Sequence, residues 1–172
     1  MFFTASSCMK ISLQGEFKTG KEIFIQDDAV LPKEARLRPD DIFICMSSSK
    51  KHVGKVAFID HDTNYYASGF VGIIRTNPDK CLAKYLYFYL LLSKNFRDEI
   101  EIVTQGTTIN HINSALDNIR IPLPPLEVQQ KIVTELEGYQ DIVINAKKVL
   151  ASYIPRLPRC LYGKYELHIC AH

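Results

Sequence analysis

The sequence is most restrictive in what it leaves out. Its longest apolar stretch, residues 85–92, falls far short of the roughly 20 residues that a membrane-spanning helix needs. The opening residues Met1-Phe2-Phe3-Thr4-Ala5-Ser6-Ser7-Cys8-Met9 carry no basic n-region and too short an apolar run for a secretory signal. Five cysteines (Cys8, Cys45, Cys81, Cys160 and Cys170) are scattered without a Cys-x-x-Cys pair. Neither a zinc knuckle nor a disulfide framework is indicated, and free thiols in a reducing cytoplasm are expected. Also missing are a Gly-x-x-x-x-Gly-Lys-Ser/Thr loop, a Gly-x-Gly-x-x-Gly fingerprint, a Gly-x-Ser-x-Gly elbow and a His-Glu-x-x-His helix. Nuclease chemistry at Mg²⁺ needs clustered carboxylates, whereas the acids here fall mostly on helices or singly in turns. The chain is expected to be non-catalytic, with no metal site or cofactor of its own. A minor enzyme built on His61, Asp62 and nearby acids is the catalytic alternative.

What is present fits one domain and an appendage. A chain of 172 residues can bury a single sizeable core. Its 47% hydrophobic content is ordinary for a folded protein and argues against wholesale disorder. The net charge of +2 by itself points to no partner; the distribution of charge says more. Lys50, Lys51, His52 and Lys55 crowd one segment behind Ser47, Ser48 and Ser49, with no acid between Asp41 and Asp60. A protein that neutralises phosphates needs a local basic face rather than a basic total.

Along the chain, residues 15–25 read as a hairpin turning at Lys18-Thr19-Gly20-Lys21. Residues 41–45, 55–59 and 70–75 read as strands, with a polar loop at 47–53 and a turn at 60–64. Asn77-Pro78-Asp79 breaks the chain before a helix that carries Leu82, Leu86, Tyr89 and Leu90 at helical spacing. Tyr85, Tyr87, Phe88, Leu91 and Leu92 fill its other faces, and a helix apolar nearly all round is buried. A second helix is expected over about 94–103. Ser114 is placed to cap a single turn through Asp117, and Ile119, Ile121 and Leu123 alternate as a last strand. Neither repeats nor low-complexity segments occur. Strands and helices without regular βαβ alternation predict an α+β class.

Two segments carry side chains suited to nucleic acid. In the first, Ser47, Ser48, Ser49, Lys50, Lys51, His52 and Lys55 offer hydroxyls and cations to phosphate oxygens and base edges, held out by the flanking strands. The plainer alternative is a solvated loop with incidental charge. In the second, Gly106 permits a sharp turn while Thr107, Thr108, Asn110, His111 and Asn113 present hydroxyl, amide and imidazole groups. Asn bonds adenine bidentately, and Thr offers a hydroxyl and a methyl to thymine. These same side chains are also chemically suited to capping the following turn.

The C-terminal third begins with prolines, which fix φ near the helical value and lack an N–H that a first turn does not use. Beyond them Ile132, Leu136, Tyr139, Val143, Ala146, Leu150 and Tyr153 recur at 4-3-4-3-4-3 spacing. That is a coiled-coil seam, and a seam needs a partner helix. Residues 126–153 make a rod of about 42 Å, longer than the side of a domain this size, so its distal half is expected to project. The alternative is a helix folded back on its own domain. A second alternative for the whole chain is a coiled-coil interaction or scaffold module without DNA binding.

The junction Ile119-Arg120-Ile121-Pro122-Leu123-Pro124-Pro125-Leu126-Glu127-Val128-Gln129-Gln130-Lys131-Ile132-Val133 resembles that between target-recognition domain and conserved helix in type I restriction–modification specificity subunits. Gln105-Gly106-Thr107-Thr108-Ile109-Asn110-His111-Ile112-Asn113 is similar to the family's Gly-Ser/Thr-Thr segment. Leu37-Arg38-Pro39-Asp40-Asp41-Ile42-Phe43-Ile44 resembles its strand entry, and Gly54-Lys55-Val56-Ala57 the strand that follows. The resemblance covers roughly residues 15–153. It implies an α+β, mixed-sheet target-recognition domain at 1–123, a conserved spacer and dimerisation helix at 124–154, and an irregular tail at 155–172. It further implies a cytoplasmic, non-catalytic half-subunit that recognises double-stranded DNA and pairs with itself or with a second half. The methyltransferase and restriction subunits would be its partners, bringing S-adenosylmethionine, ATP and Mg²⁺. Two departures stand out. The family's usual opening segment has no counterpart before about Lys10, and the proline-broken tail after Tyr153 looks unrelated, a pattern that a truncated product would give.

Overall fold

The computed structural model describes residues 2–5, 23–25, 32–46, 52–67, 69, 71–105, 112, 116–117 and 119–153. The chain divides into two compact units, Met1–Val133 and Thr134–His172. In the first, strands β1 (Phe2–Ala5), β2 (Ile23–Ile25), β3 (Ile42–Cys45), β4 (Val56–Phe58), β5 (Tyr65–Ala67) and β6 (Val71–Ile74) precede helices α1 (Ala83–Leu92) and α2 (Lys94–Gln105). Helix α3 (Leu126–Tyr153) begins in the first unit and ends in the second. The chain is of α+β class with a mixed sheet and a long C-terminal helix, as the sequence predicts.

β3 is the centre of one sheet, ordered β4-β3-β6 and antiparallel throughout, with Phe43 opposite Ala57 on one side and Ile73 on the other. Its Ile-Phe-Ile-Cys run is buried at every position, as expected of a strand covered on both faces. Leu37, Phe43, Cys45, Ala57, Ile59 and Val71 form the core, and Tyr65, Ala67 and Ile73 pack against it. A second sheet, ordered β2-β1-β5, pairs β1 antiparallel to β2 and parallel to β5. α1 covers β4, with the Phe58 and Tyr87 rings 5.5 Å apart. As its composition demands, α1 buries Tyr85, Leu86, Tyr87, Phe88 and Leu90. Ser93 divides α1 from α2: its N–H donates to the Tyr89 carbonyl, and its hydroxyl accepts from the Phe96 N–H.

An ion pair with a buried carboxylate ties the start of β3 to the end of β6. Asp41, 2% exposed, accepts from Arg75 Nε at 2.7 Å, Arg75 Nη2 at 2.9 Å and the Arg38 N–H at 2.8 Å. Arg75 also donates to the Arg36 carbonyl. The bond to Asp41 raises the Arg75 pKa.

Two expectations are overturned, a third is only partly described, and two strands were not expected. The alternating Ile119, Ile121 and Leu123 form no strand; residues 119–125 run without ladder pairing, because Pro122, Pro124 and Pro125 have no N–H to give. Ile23–Ile25 is a strand, but its described partner is β1, and the rest of the expected hairpin lies outside the described residues. β1 and β5 were not foreseen. Cys81 is a buried free thiol, whereas Cys45 is disulfide-bonded.

Candidate functional site

The first candidate segment is rooted where β3 hands over to β4. The Cys45 N–H donates to the Lys55 carbonyl at 2.9 Å, and the Gly54 N–H to the Cys45 carbonyl at 3.0 Å. Gly54 has φ 76, a left-handed conformation open to glycine at little cost. A Cβ there would lie 2.9 Å from Cγ2 of Ile100 on α2, so the root is wedged against that helix. His52 and Lys55 are partly buried at this root, with Lys55 Nζ 3.2 Å from His52 Nδ1. Ser47, Ser48, Ser49, Lys50 and Lys51 lie outside the described residues.

α2 runs on from Ile100 to Gln105, where the second candidate segment begins. Of that segment Thr107, Thr108, Asn110, His111 and Asn113 also lie outside the described residues; Ile112 is 4% exposed. The Gly54–Ile100 contact thus sets the root of the first segment against the helix leading to the second. On the neighbouring surface Lys84 Nζ stands 5.6 Å from the Phe58 ring centroid.

The His61 and Asp62 pair envisaged as an alternative centre is divided between two partners. His61 Nδ1 lies 2.6 Å from Asp60 Oδ1, a bond that lowers the Asp60 pKa. Asp62 instead accepts from Arg36 and from the Thr63 N–H. Among the described residues no three His, Cys, Asp or Glu side chains are grouped to hold a metal ion.

The residues expected to form a helix-pairing seam lie along α3. Ile132 and Leu136 are half-buried. Tyr139, Val143, Leu150 and Tyr153 are 57%, 49%, 63% and 61% exposed, and Ala146 is exposed. Among the described residues no helix is long and apolar enough to cross a membrane.

A polar cluster that sequence reasoning missed joins α1 to the start of α3. Gln129 is fully buried. Its Oε1 accepts from the Leu82 N–H at 2.9 Å, and its Nε2 donates to the carbonyls of Lys80 at 3.0 Å and Pro124 at 2.8 Å. Two donor contacts to carbonyls fix which end of the amide is nitrogen. Tyr85 donates to the Pro122 carbonyl at 2.8 Å and Tyr89 to that of Arg120 at 3.4 Å. One signal was present: the apolar stripe, continued three residues upstream of Ile132, lands on Gln129.

Residues 10–151 match the family model described as "Type I restriction modification DNA specificity domain". The chain belongs to this family. The match spans both the strand domain and most of α3. Among curated relatives of this specificity-domain chain, the type I restriction enzyme EcoKI specificity subunit of Escherichia coli (strain K12) is 31% identical over 145 residues, covering 83% of this chain and 30% of that protein. The MjaIX specificity subunit of Methanocaldococcus jannaschii is 33% identical over 119 residues, 67% of this chain and 26% of its own. The chain therefore spans less than a third of the length of the curated relatives it matches. Among solved structures, the HsdS subunit from Thermoanaerobacter tengcongensis superposes with a TM-score of 0.65 at 21% identity, over 88% of this chain and 39% of that one. A chain from a structure of type I R-M complex assembly and conformational transition gives 0.64 at 22% identity, over 99% and 44%. These two likenesses are of fold.

Proposed function

We propose that this specificity-domain chain recognises a short sequence in double-stranded DNA and gives target choice to the methyltransferase and restriction subunits of a type I restriction–modification complex. The observation that carries this reading is the family match, which spans strand domain and helix together. In it, residues 47–55 and 106–113 face the duplex, their roots braced by Gly54 on Ile100. Ser47, Ser48, Ser49, Lys50, Lys51, His52 and Lys55 supply phosphate and edge contacts; Thr107, Thr108, Asn110, His111 and Asn113 supply base-edge contacts. The stripe on α3 pairs with a second copy or a second half-subunit. A two-fold pair reads a bipartite, pseudo-palindromic site. The chain itself is non-catalytic and works in the cytoplasm; S-adenosylmethionine, ATP and Mg²⁺ act on its partner subunits.

The exposed stripe would serve a scaffold without DNA binding equally well, so the test separates the two. Selection from random duplexes, followed by titration across salt concentrations, should return a consensus whose affinity falls steeply with salt as counterions are released. Recovery of no sequence, with weak affinity indifferent to salt, refutes DNA recognition and leaves the scaffold reading.

A further inference from the structure

We propose that Gln129 is a positioning residue: its amide holds the first turns of α3 in one orientation on the strand domain, and so sets which spacings between half-sites a paired molecule accepts. The statement about spacing rests on the bipartite-DNA reading above; the statement about orientation does not.

Gln129 is a polar side chain with 0% exposure, a placement that costs free energy unless its hydrogen bonds are made. Both amide hydrogens and the amide oxygen have partners. Those partners come from two places in the chain. Lys80 and Leu82 flank Cys81 at the entrance to α1, and Pro124 lies on the approach to α3. One amide therefore ties the start of α3 to the start of α1. An apolar side chain would fill the same space, but apolar contact is non-directional, whereas hydrogen bonds weaken steeply off axis.

The tyrosines repeat the device along the same helix. Tyr85 and Tyr89 are one turn apart on α1, and the carbonyls they bind, Pro122 and Arg120, are two residues apart on the segment that leads to α3. Pro122 and Pro124 offer carbonyls and no N–H; α1 holds two carbonyls of this segment before Gln129 takes that of Pro124. Small errors at this point grow along the rod. A tilt of about 10° at the base of a helix of about 42 Å displaces its far end by about 7 Å, roughly two base-pair rises.

The test uses the full chain, with Gln129→Met to keep length and remove the hydrogen bonds, and Tyr85→Phe to remove one hydroxyl should the first variant fail to fold. Genetically encoded spin labels at the exposed Asn95 and Ala151 report the spread of orientations without DNA. A panel of duplexes repeats the selected half-site at spacings stepped by one base pair. The wild-type distance distribution should be narrow and that of Gln129→Met at least about twice as broad. Affinity for a single half-site should stay within about twofold, while preference for the best spacing falls roughly tenfold. Tyr85→Phe should move both readouts the same way by less. Ile59→Val weakens the core away from this junction and should leave both unchanged; equal broadening there would make lost stability the cause and overturn the proposal. Unchanged distance widths in Gln129→Met and Tyr85→Phe also overturn it. Wild-type protein that binds no duplex sinks the DNA reading alone, and the label distances still decide the role of Gln129.

Discussion

Alanine at Gly54 measures how firmly the root of the first candidate segment is held. Two costs add there. A side chain at φ 76 enters the left-handed region, at about 1–2 kcal/mol. The new methyl would also stand 2.9 Å from Ile100 Cγ2 and 3.1 Å from its Cγ1, inside the roughly 3.5–4.0 Å optimum for carbon pairs. Overpacking of this kind costs about 1–3 kcal/mol. Gly54→Ala should therefore lose about 2–5 kcal/mol. Ile100 is 8% exposed, and Ile100→Ala should lose about 2–5 kcal/mol alone. In the double variant the methyl meets the space that Ile100 vacates, so the backbone cost remains and the clash does not. The double loss should fall short of the sum of the singles by about 1–3 kcal/mol. Urea unfolding of the four proteins measures this. Losses that add within about 0.5 kcal/mol, as independent sites do, refute the wedge and with it the argument that α2 braces this root.

Three further outcomes follow from the same geometry. Arg75→Met leaves the Asp41 carboxylate buried with the Arg38 N–H as its remaining described donor, and should cost about 3 kcal/mol, the low end for a broken buried pair because Arg75 is partly exposed. Adding Asp41→Asn should recover most of that loss in urea melts, and a single-variant cost under about 1 kcal/mol would refute the pair's importance. Burial raises the pKa of Cys81 and of Tyr85, so in the folded chain both hold protons that the unfolded chain releases. Stability should be full below about pH 8.5 and decline as pH climbs through the thiol and phenol ranges; Tyr85→Phe should flatten the upper part, and a level profile from pH 7.5 to 11 in urea midpoints would contradict this. Val143→Asp and Leu150→Asp should abolish self-association in sedimentation equilibrium. Because both sites are exposed, unfolding of the strand domain should shift by no more than about 0.5 kcal/mol; an unchanged assembly would refute pairing through this stripe.

Legibility in the sequence followed burial. β3, β4 and β6 were readable because their apolar runs are bounded by turns. β5 was not: Tyr65-Tyr66-Ala67 is half-buried, sits behind a polar turn, and is fixed by pairing with β1 some sixty positions upstream, as in Phe3 opposite Tyr65. Residues 119–123 show the opposite failure, since the alternation was real but the prolines removed the donors that a ladder requires. The bounds of α3 were legible from its period. For Gln129 the stripe marked an inward position, but a glutamine between Glu127 and Gln130 reads as surface, and only the tertiary positions of Lys80, Leu82 and Pro124 give its amide partners. The Asp41–Arg75 pair spans 34 positions, beyond any local pattern. Of the candidate contact residues, His52 and Lys55 lie among the described ones, at the root that Gly54 fixes.

Within the second unit α3 lacks any buried residue, Val133 being the last. In proteins most helical stability comes from packing of an apolar face rather than from propensity. Gly138 weakens this stretch by about 1 kcal/mol, and Thr134, Ile142, Val143, Ile144 and Val149 each by a few tenths. The Tyr139 hydroxyl donating to Glu135 at 2.9 Å is an exposed contact that returns little. For the proposed pairing, the width of the apolar face then matters. Ile142 and Val149, 65% and 54% exposed, each lie one position before the stripe residues Val143 and Leu150, so they broaden the stripe on one side. A two-position stripe is the seam of a two-stranded coil, whereas a third apolar position is the mark of a helix facing a core. A single partner helix covers Val143 and Leu150 and leaves the Ile142–Val149 shoulder in water.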